Sequence, residues 1–235
     1  MERKPTLNRI TGKVLILILF FLIFTISGCN IRPDKNISST SHPQESNNGN
    51  AGEEIQNIED EPNIIVKGDL TQEITSIGRE TLSALREYKY EEIADLVHPD
   101  ICLRFSPYPY MADSNLSFCP VELGENVYSN DILNWGYYDG SGEPIQLTFR
   151  EYHDNFIYVA DFSSAPIIGL NVEVSSGNSI NNISDLYPDG VMIEYYFPEF
   201  EEKYGGMDWR SLRLVFINIE EGWYLAAIIH GEWTI

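Results

Sequence analysis

Positive charge is scarce in this 235-residue chain. Fifteen lysines and arginines stand against 36 aspartates and glutamates, a formal net charge of −21. A chain so acidic lacks the basic surface that neutralises phosphates, which argues against nucleic acid and against direct contact with anionic lipid heads. Histidine is also scarce, at four residues: His42, His98, His153 and His230. No two of them have metal-ligand spacing such as His-x-x-x-His, so no zinc site is expected. Cysteine occurs only at Cys29, Cys102 and Cys119. With no Cys-x-x-Cys pair, neither a redox motif nor a zinc motif has support. Gly-x-Ser-x-Gly, a phosphate loop and a dinucleotide fingerprint are missing too. No cofactor and no metal is expected. Long apolar runs are absent with one exception, near the start.

That exception is Val14 to Ile26, "VLILILFFLIFTI", with Thr25 its only polar member. Arg3, Lys4, Arg9 and Lys13 precede it and small residues end it, the pattern of a secretory signal. A transmembrane helix needs about 20 apolar residues, and this run is shorter. Ile26-Ser27-Gly28-Cys29 resembles the lipobox of bacterial lipoproteins, an aliphatic residue and two small ones before an obligatory cysteine. The resemblance implies that the Cys29 thiol carries a diacylglyceryl group and that a peptidase cuts between Gly28 and Cys29. Residues 1–28 are then a signal peptide, and the mature protein is held by lipid on the extracytoplasmic face of the cell membrane. Two acyl chains suffice for stable anchoring, at roughly 0.8 kcal/mol per buried CH2.

Without the signal, 11 basic and 35 acidic residues remain, a net charge of about −24. Such an exterior attracts divalent cations and cationic peptides, and it also simply keeps a protein soluble. Residues 29–63 are rich in Asn, Ser, Glu and Pro; "SSTSHPQESNNGNAGEE" has almost nothing to bury and reads as a disordered tether. Some 35 residues of flexible coil span about 30–35 Å on average. Residues 64–235 fit one globular domain.

Within that domain, apolar residues at Leu70, Ile74, Ile77, Thr81, Leu82, Leu85 and Tyr88 form one helical stripe, with Asp69 or Thr71 as cap. A second short helix is expected over Tyr90 to Val97, ended by His98-Pro99. Strand-like pieces follow at Ile101 to Phe105 and Leu116 to Cys119. If these pair, Cys102 and Cys119 come together; a disulfide and two independent thiols are both open. Asp139-Gly140-Ser141-Gly142 signals a tight turn between apolar runs. Asp139, Ser141 and Glu143 faintly resemble a calcium loop, but the further acids of that pattern are missing. Thr148 and Glu151 have capping-box spacing, predicting a helix from about Phe149 to Phe156. Strands are then expected at "FIYVADF", "IIGLNVEV", "VMIEYYF", "LRLVFINI" and "WYLAAIIH". Glu220-Glu221-Gly222 between the last two suits a three-residue hairpin loop with Gly at positive φ. Both faces of this hairpin are apolar: Leu212, Leu214 and Phe216 on one, Val215, Ile217 and Ile219 on the other. It belongs in the middle of a sheet or under cover on both sides.

This order predicts an α+β domain, with N-terminal helices packed on a curved, mostly antiparallel sheet. The element order and the early helix-helix-His-Pro stretch resemble the cone-shaped fold of nuclear transport factor two and ketosteroid isomerase. "VHPDICLRFSPYPY", "WGYYDGSGEPIQLTF" and "GMDWRSLRLVF…WYLAAIIHGEWTI" resemble a group of uncharacterised lipoproteins of Gram-positive bacteria. That resemblance covers most of residues 70–235 and implies no activity. The cone resemblance implies a pocket holding an Asp/His acid–base pair, for which His153, His230, Asp139 and Asp208 are the candidates. Asp208 and Arg210 share a strand face and are candidates for an ion pair. The leading reading is a non-enzymatic, lipid-anchored module of the envelope that binds a small ligand, a peptide or another envelope protein. The alternative is a small isomerase, dehydratase or hydrolase. A homodimer through the open sheet face is a third expectation.

Overall fold

A four-residue strand, β1 (Asn63–Val66), precedes the first helix. It was not foreseen, because "NIIV" is too short for periodicity to act on. The structure, a computed structural model, describes residues 62–66, 72–175, 177, 180–220 and 222–234. The expected signal, Cys29 and most of the expected tether lie outside the described residues, as do Asp69, Leu70 and Thr71. The described residues belong to one compact unit.

Helix α1 (Gln72–Arg86) follows the expected stripe, burying Ile74, Gly78, Thr81, Leu82, Ala84 and Leu85. Glu73 in its first turn and Arg86 in its last suit the helix dipole. Gly78 costs helix propensity but permits close packing: a Cβ there would lie 2.5 Å from Ile193 Cδ1. Tyr88, at φ 57°, turns the corner into α2 (Tyr90–Asp95), which buries Tyr90 and Ile93.

Seven strands form one sheet in the order β1-β6-β7-β8-β9-β2-β3. Their ranges are β2 Leu103–Ser106, β3 Ser117–Phe118, β6 Ile167–Leu170, β7 Val191–Phe197, β8 Arg210–Ile219 and β9 Gly222–Glu232. The pairs β1–β6 and β2–β9 are parallel and the other four antiparallel. The domain is therefore α+β on a mixed sheet. A separate hairpin joins β4 (Leu133–Tyr137) to β5 (Pro144–Leu147) around the Asp139–Gly142 turn. Helix α4 (Phe149–Tyr152) starts at the foreseen capping box. Thr148 Oγ1 accepts from Glu151 N at 3.2 Å, and Glu151 Oε2 accepts from Thr148 N at 2.8 Å.

The β8–β9 hairpin lies centrally and is covered on both faces. On one face Leu212, Leu214, Phe216 and Ile228 join a large core with Ile74, Leu82 and Leu85 of α1 and Tyr90 and Ile93 of α2. On the other, Val215, Ala227 and Ile229 join Met111, Ile183 and Met192 in a smaller one. Its loop differs from expectation. Ile219 pairs directly with Gly222, so the loop has two residues and the positive φ falls on Glu220, at 51°.

Other expectations fail for local reasons. "FIYVADF" is not a strand: α4 continues as a π-helical turn, His153–Ile157, and Phe162–Ser164 is a 3-10 turn. "IIGLNVEV" is strand only as far as Leu170. Asn171 takes φ 53° and its Oδ1 accepts from Met192 N at 2.9 Å, ending the ladder. Helix α3 (Pro120–Asn126) was not foreseen, although Pro120 at its first position and Glu122 two residues on were visible signals. Helix α5 (Ile183–Leu186) is a single turn beneath the smaller core.

Cys102 and Cys119 are bonded, tying the entry of β2 to the start of α3. The bond closes a loop of sequence separation 17. Chain entropy assigns about 3 kcal/mol to such a loop. Cys102→Ser with Cys119→Ser is expected to lower urea-unfolding stability by about 2–4 kcal/mol. Reduced wild type should match the double variant.

Candidate functional site

The four sequence candidates for acid–base chemistry are placed apart. Among the described residues no hydrogen bond or ion pair joins any two of them. His153 is built into the π-helical turn and is 4 % exposed. Its Nδ1 lies 2.9 Å from the Tyr90 hydroxyl, with Tyr88 edge-on at 4.8 Å and Tyr158 stacked. Burial pushes its pKa down to about 4, with Arg150 adding to the fall and Asp154 opposing it. It is a neutral core histidine at pH 7. Asp139 sits exposed at the β4–β5 turn, where its Oδ1 accepts from Gly140 N at 3.0 Å. Ser141 Oγ accepts from Glu143 N there, so the calcium-like residues serve the turn. Asp208 Oδ2 accepts from Phe200 N at 3.2 Å and Glu201 N at 2.8 Å, which closes the loop before β8. The expected Asp208–Arg210 pair does not form through the carboxylate. Arg210 Nη1 donates instead to the main-chain oxygens of Asp208 and Trp209.

His230 has an acidic neighbour that sequence reading missed. Its ring is 1 % exposed, edge-on to Phe156 at 5.8 Å, and neither nitrogen has a hydrogen-bond partner among the described residues. Its Nε2 lies 3.6 Å from Glu232 Oε2, and Arg210 Nη2 lies 3.4 Å from the same oxygen. Burial lowers the imidazole, against the pull of Glu232. Burial also raises the Glu232 carboxyl, but His230 and Arg210 outweigh it and leave it below its ordinary value. The signal was available: residues two apart on a strand share a face, and Glu232 pairs across the ladder with Arg210. None of the cavities described below opens on His230.

On the opposite face of the sheet lies a buried charge cluster. Glu194 and Arg213 face each other across β7 and β8, at 0 % and 1 % exposure. Arg213 Nε donates to Glu194 Oε1 at 2.9 Å, and Nη2 donates to Ser175 Oγ at 2.8 Å and to Glu173. Ser175 Oγ and Val174 N donate to Glu194 at 2.6 and 2.7 Å. Burial raises the Glu194 carboxyl, but the Arg213 charge and these donors outweigh it and hold the group below its ordinary value. The cluster pins the segment after β6 onto the sheet. Sequence reading missed it because both residues sit inside runs read as apolar strands.

A broad, open concavity of about 560 Å3 lies over the smaller core, lined by Asn171, Glu173, Ile183, Tyr187 and Met192; two others lie on the large-core side and at the β4–β5 hairpin. One, about 330 Å3, lies between α1 and strands β6 and β7. Leu82, Ile168, Leu170, Ile193 and Tyr195 line it, Ile64 of β1 adds to its wall, and Arg79, Ser83 and Arg86 are among its polar residues. The other, about 520 Å3 and more open, is lined by Tyr108, Tyr110, Tyr137, Tyr138 and Asp139. Among the described residues no group of three or more His, Cys, Asp or Glu side chains is placed to hold a metal ion. Nor, among the described residues, is any helix long and apolar enough to cross a membrane.

No protein-family model matches the chain, and no curated protein matches it.

Two outcomes follow from the buried groups. His153 has a folded pKa below its unfolded value of about 6.5. Its contribution is therefore complete above pH 6.5 and is lost as pH falls toward 4. Between pH 7.5 and pH 5 the loss is about 2 kcal/mol. The fall in urea-unfolding free energy from pH 7.5 to pH 5 should be larger by that amount in wild type than in His153→Gln. Arg213→Met strands the Glu194 carboxylate and is expected to cost about 3–5 kcal/mol. Adding Glu194→Met should recover most of it.

Proposed function

We propose that this chain is a lipoprotein of the bacterial cell envelope whose α+β domain is a non-enzymatic binding module. In this reading Cys29 carries the lipid and residues 29–63 are the tether. The domain works at the extracytoplasmic face of the cell membrane. The Ile26-Ser27-Gly28-Cys29 stretch supports the anchor. The observation that carries the binding role is the groove beneath α1. Its volume of about 330 Å3 falls at the lower end of the range of small-molecule sites, and its floor is apolar with a few polar groups at the rim. An apolar concavity beside a packed core gives a ligand somewhere to bury itself.

A second reading, a cone-fold enzyme, rests on one contact, His230 against Glu232. Acid–base work needs a substrate within hydrogen-bond reach of such a pair. His230 is 1 % exposed, so that reading requires the β9 end of the domain to open. The groove requires no rearrangement, and this favours binding.

Cys29→Ser is expected to abolish incorporation of labelled palmitate and to move the protein from the membrane fraction to the soluble one. Unchanged labelling would overturn the anchor. For the groove, the neutral dye Nile red should bind the wild type with enhanced fluorescence. Ser83→Trp, placed on the exposed rim, should weaken that binding at least fivefold at unchanged circular dichroism. Equal dye binding by the two proteins would overturn the assignment of the groove.

A further inference from the structure

The groove beneath α1 differs from its surroundings in charge. The chain carries −21 overall, yet the charged side chains lining this groove are Arg79 and Arg86. They stand seven residues apart on α1, two helical turns, so both project from one face along the same side of the groove. Arg86 has a loose partner: its Nη2 is 3.8 Å from Glu87 Oε1, with both side chains about half exposed. An exposed pair of this kind contributes little and is easily exchanged for a better one. Arg79 has no carboxylate within ion-pair distance among the described residues. It lines the same groove as Tyr195, and its charge reaches that phenol.

Resting on the binding role argued above, we propose that the groove takes a single-chain amphipathic anion. Its apolar tail lies on Leu82, Ile168, Leu170, Ile193 and Tyr195. Its carboxylate or phosphate head is held by Arg79 and Arg86. Guanidinium groups pair with such heads through parallel N–H donors, which a neutral or cationic head does not offer. The volume sets the tail. A methylene occupies about what a liquid water does, ~30 Å3, so 330 Å3 accommodates a chain of about ten carbons. The acidic exterior repels anions only at short range at physiological salt, where the Debye length is about 8 Å. The charged side chains that line the groove itself are both cationic. The apolar floor holds the tail, and the two arginines choose the charge.

The test uses the full chain in nanodiscs of zwitterionic lipid, titrated calorimetrically with decanoate, decanol and decyltrimethylammonium, each corrected for empty discs. Decanoate is expected to bind at least tenfold more tightly than decanol and the cation to bind worst. Arg79→Ala with Arg86→Ala should remove the preference for decanoate and leave decanol within twofold. Both arginines are exposed, so this variant tests charge without disturbing the core. Equal affinity for decanoate and decanol, or an unchanged preference in the double variant, overturns the anion assignment while leaving the apolar groove intact. No binding of any of the three, together with Nile red binding that ignores Ser83→Trp, overturns the groove itself. Repeating the titration in discs containing anionic phospholipid separates the sources of the head. A tenfold fall in decanoate affinity assigns the groove to a membrane phospholipid and overturns the single-chain assignment, and an unchanged affinity supports the free single-chain anion.

Discussion

Burial of both faces of the β8–β9 hairpin is the constraint that organises this domain. Two long strands whose residues are apolar in both alternating sets cannot leave either face in water. One face receives α1 and α2, with the aromatic side chains of β4 and α4. There Trp135 and Tyr152 stack at 3.8 Å, and Phe105 and Phe149 lie edge-on to Trp135. The other face receives less: Met111 from a loop and Ile183 from one turn of helix, packed beside Met192 of β7. The outer strands then extend the sheet on each side, with β6 and β1 beyond β7 and β2 and β3 beyond β9.

The smaller face explains why a charge cluster sits inside a sheet. The segment after β6 has little apolar surface to hold it. It is fixed instead by Glu173, Val174 and Ser175 binding to Glu194 and Arg213. Such a cluster is a poor source of net stability, because desolvation of two ions consumes most of the attraction. It is specific, however, since every shift of the segment leaves a buried charge without its partner. Arg213 Nη1 is already without one among the described residues. The position is constrained by geometry more than by energy.

The large face holds the more enclosed groove, beneath α1. Gly78 lets α1 approach β7 closely at one point. Larger residues on the same helix, from Thr75 to Arg86, line the groove against β6 and β7, and Ile64 of β1 adds to its wall. A domain whose long strands and first helix are fixed by burial has a groove that is fixed too. The histidines have the opposite character. His153 and His230 are held neutral by burial among aromatic rings, so they belong to the packing that supports the site rather than to the site.

Much of the architecture was legible in order along the chain. The α1 stripe, the Thr148–Glu151 capping box, the Asp139–Gly142 turn and the run "VMIEYYF" rest on interactions within a few residues, and local sequence encodes those directly. The α+β class followed from them. What sequence misread also has a local cause that tertiary contact overrode. "FIYVADF" has strand composition, yet it packs its rings around His153 and His230 as a π-helical turn and bends. The last loop has a Gly available for positive φ, yet the ladder register between Ile219 and Gly222 places that conformation on Glu220. The candidate site was legible only in its parts. Arg79, Leu82 and Arg86 were visible as residues of one helix, and Ile168, Ile193 and Tyr195 as residues of strands. That these form one apolar groove with cations at its rim depends on how α1 crosses β6 and β7. Sequence alone determined the charge balance, the lipobox-like stretch and the identity of most elements, because these depend on composition and neighbours along the chain. Only the tertiary structure decided that Cys102 meets Cys119, that Glu194 faces Arg213 and that Arg210 stands beside Glu232. Each of those depends on strand register and helix packing, which join residues distant along the chain.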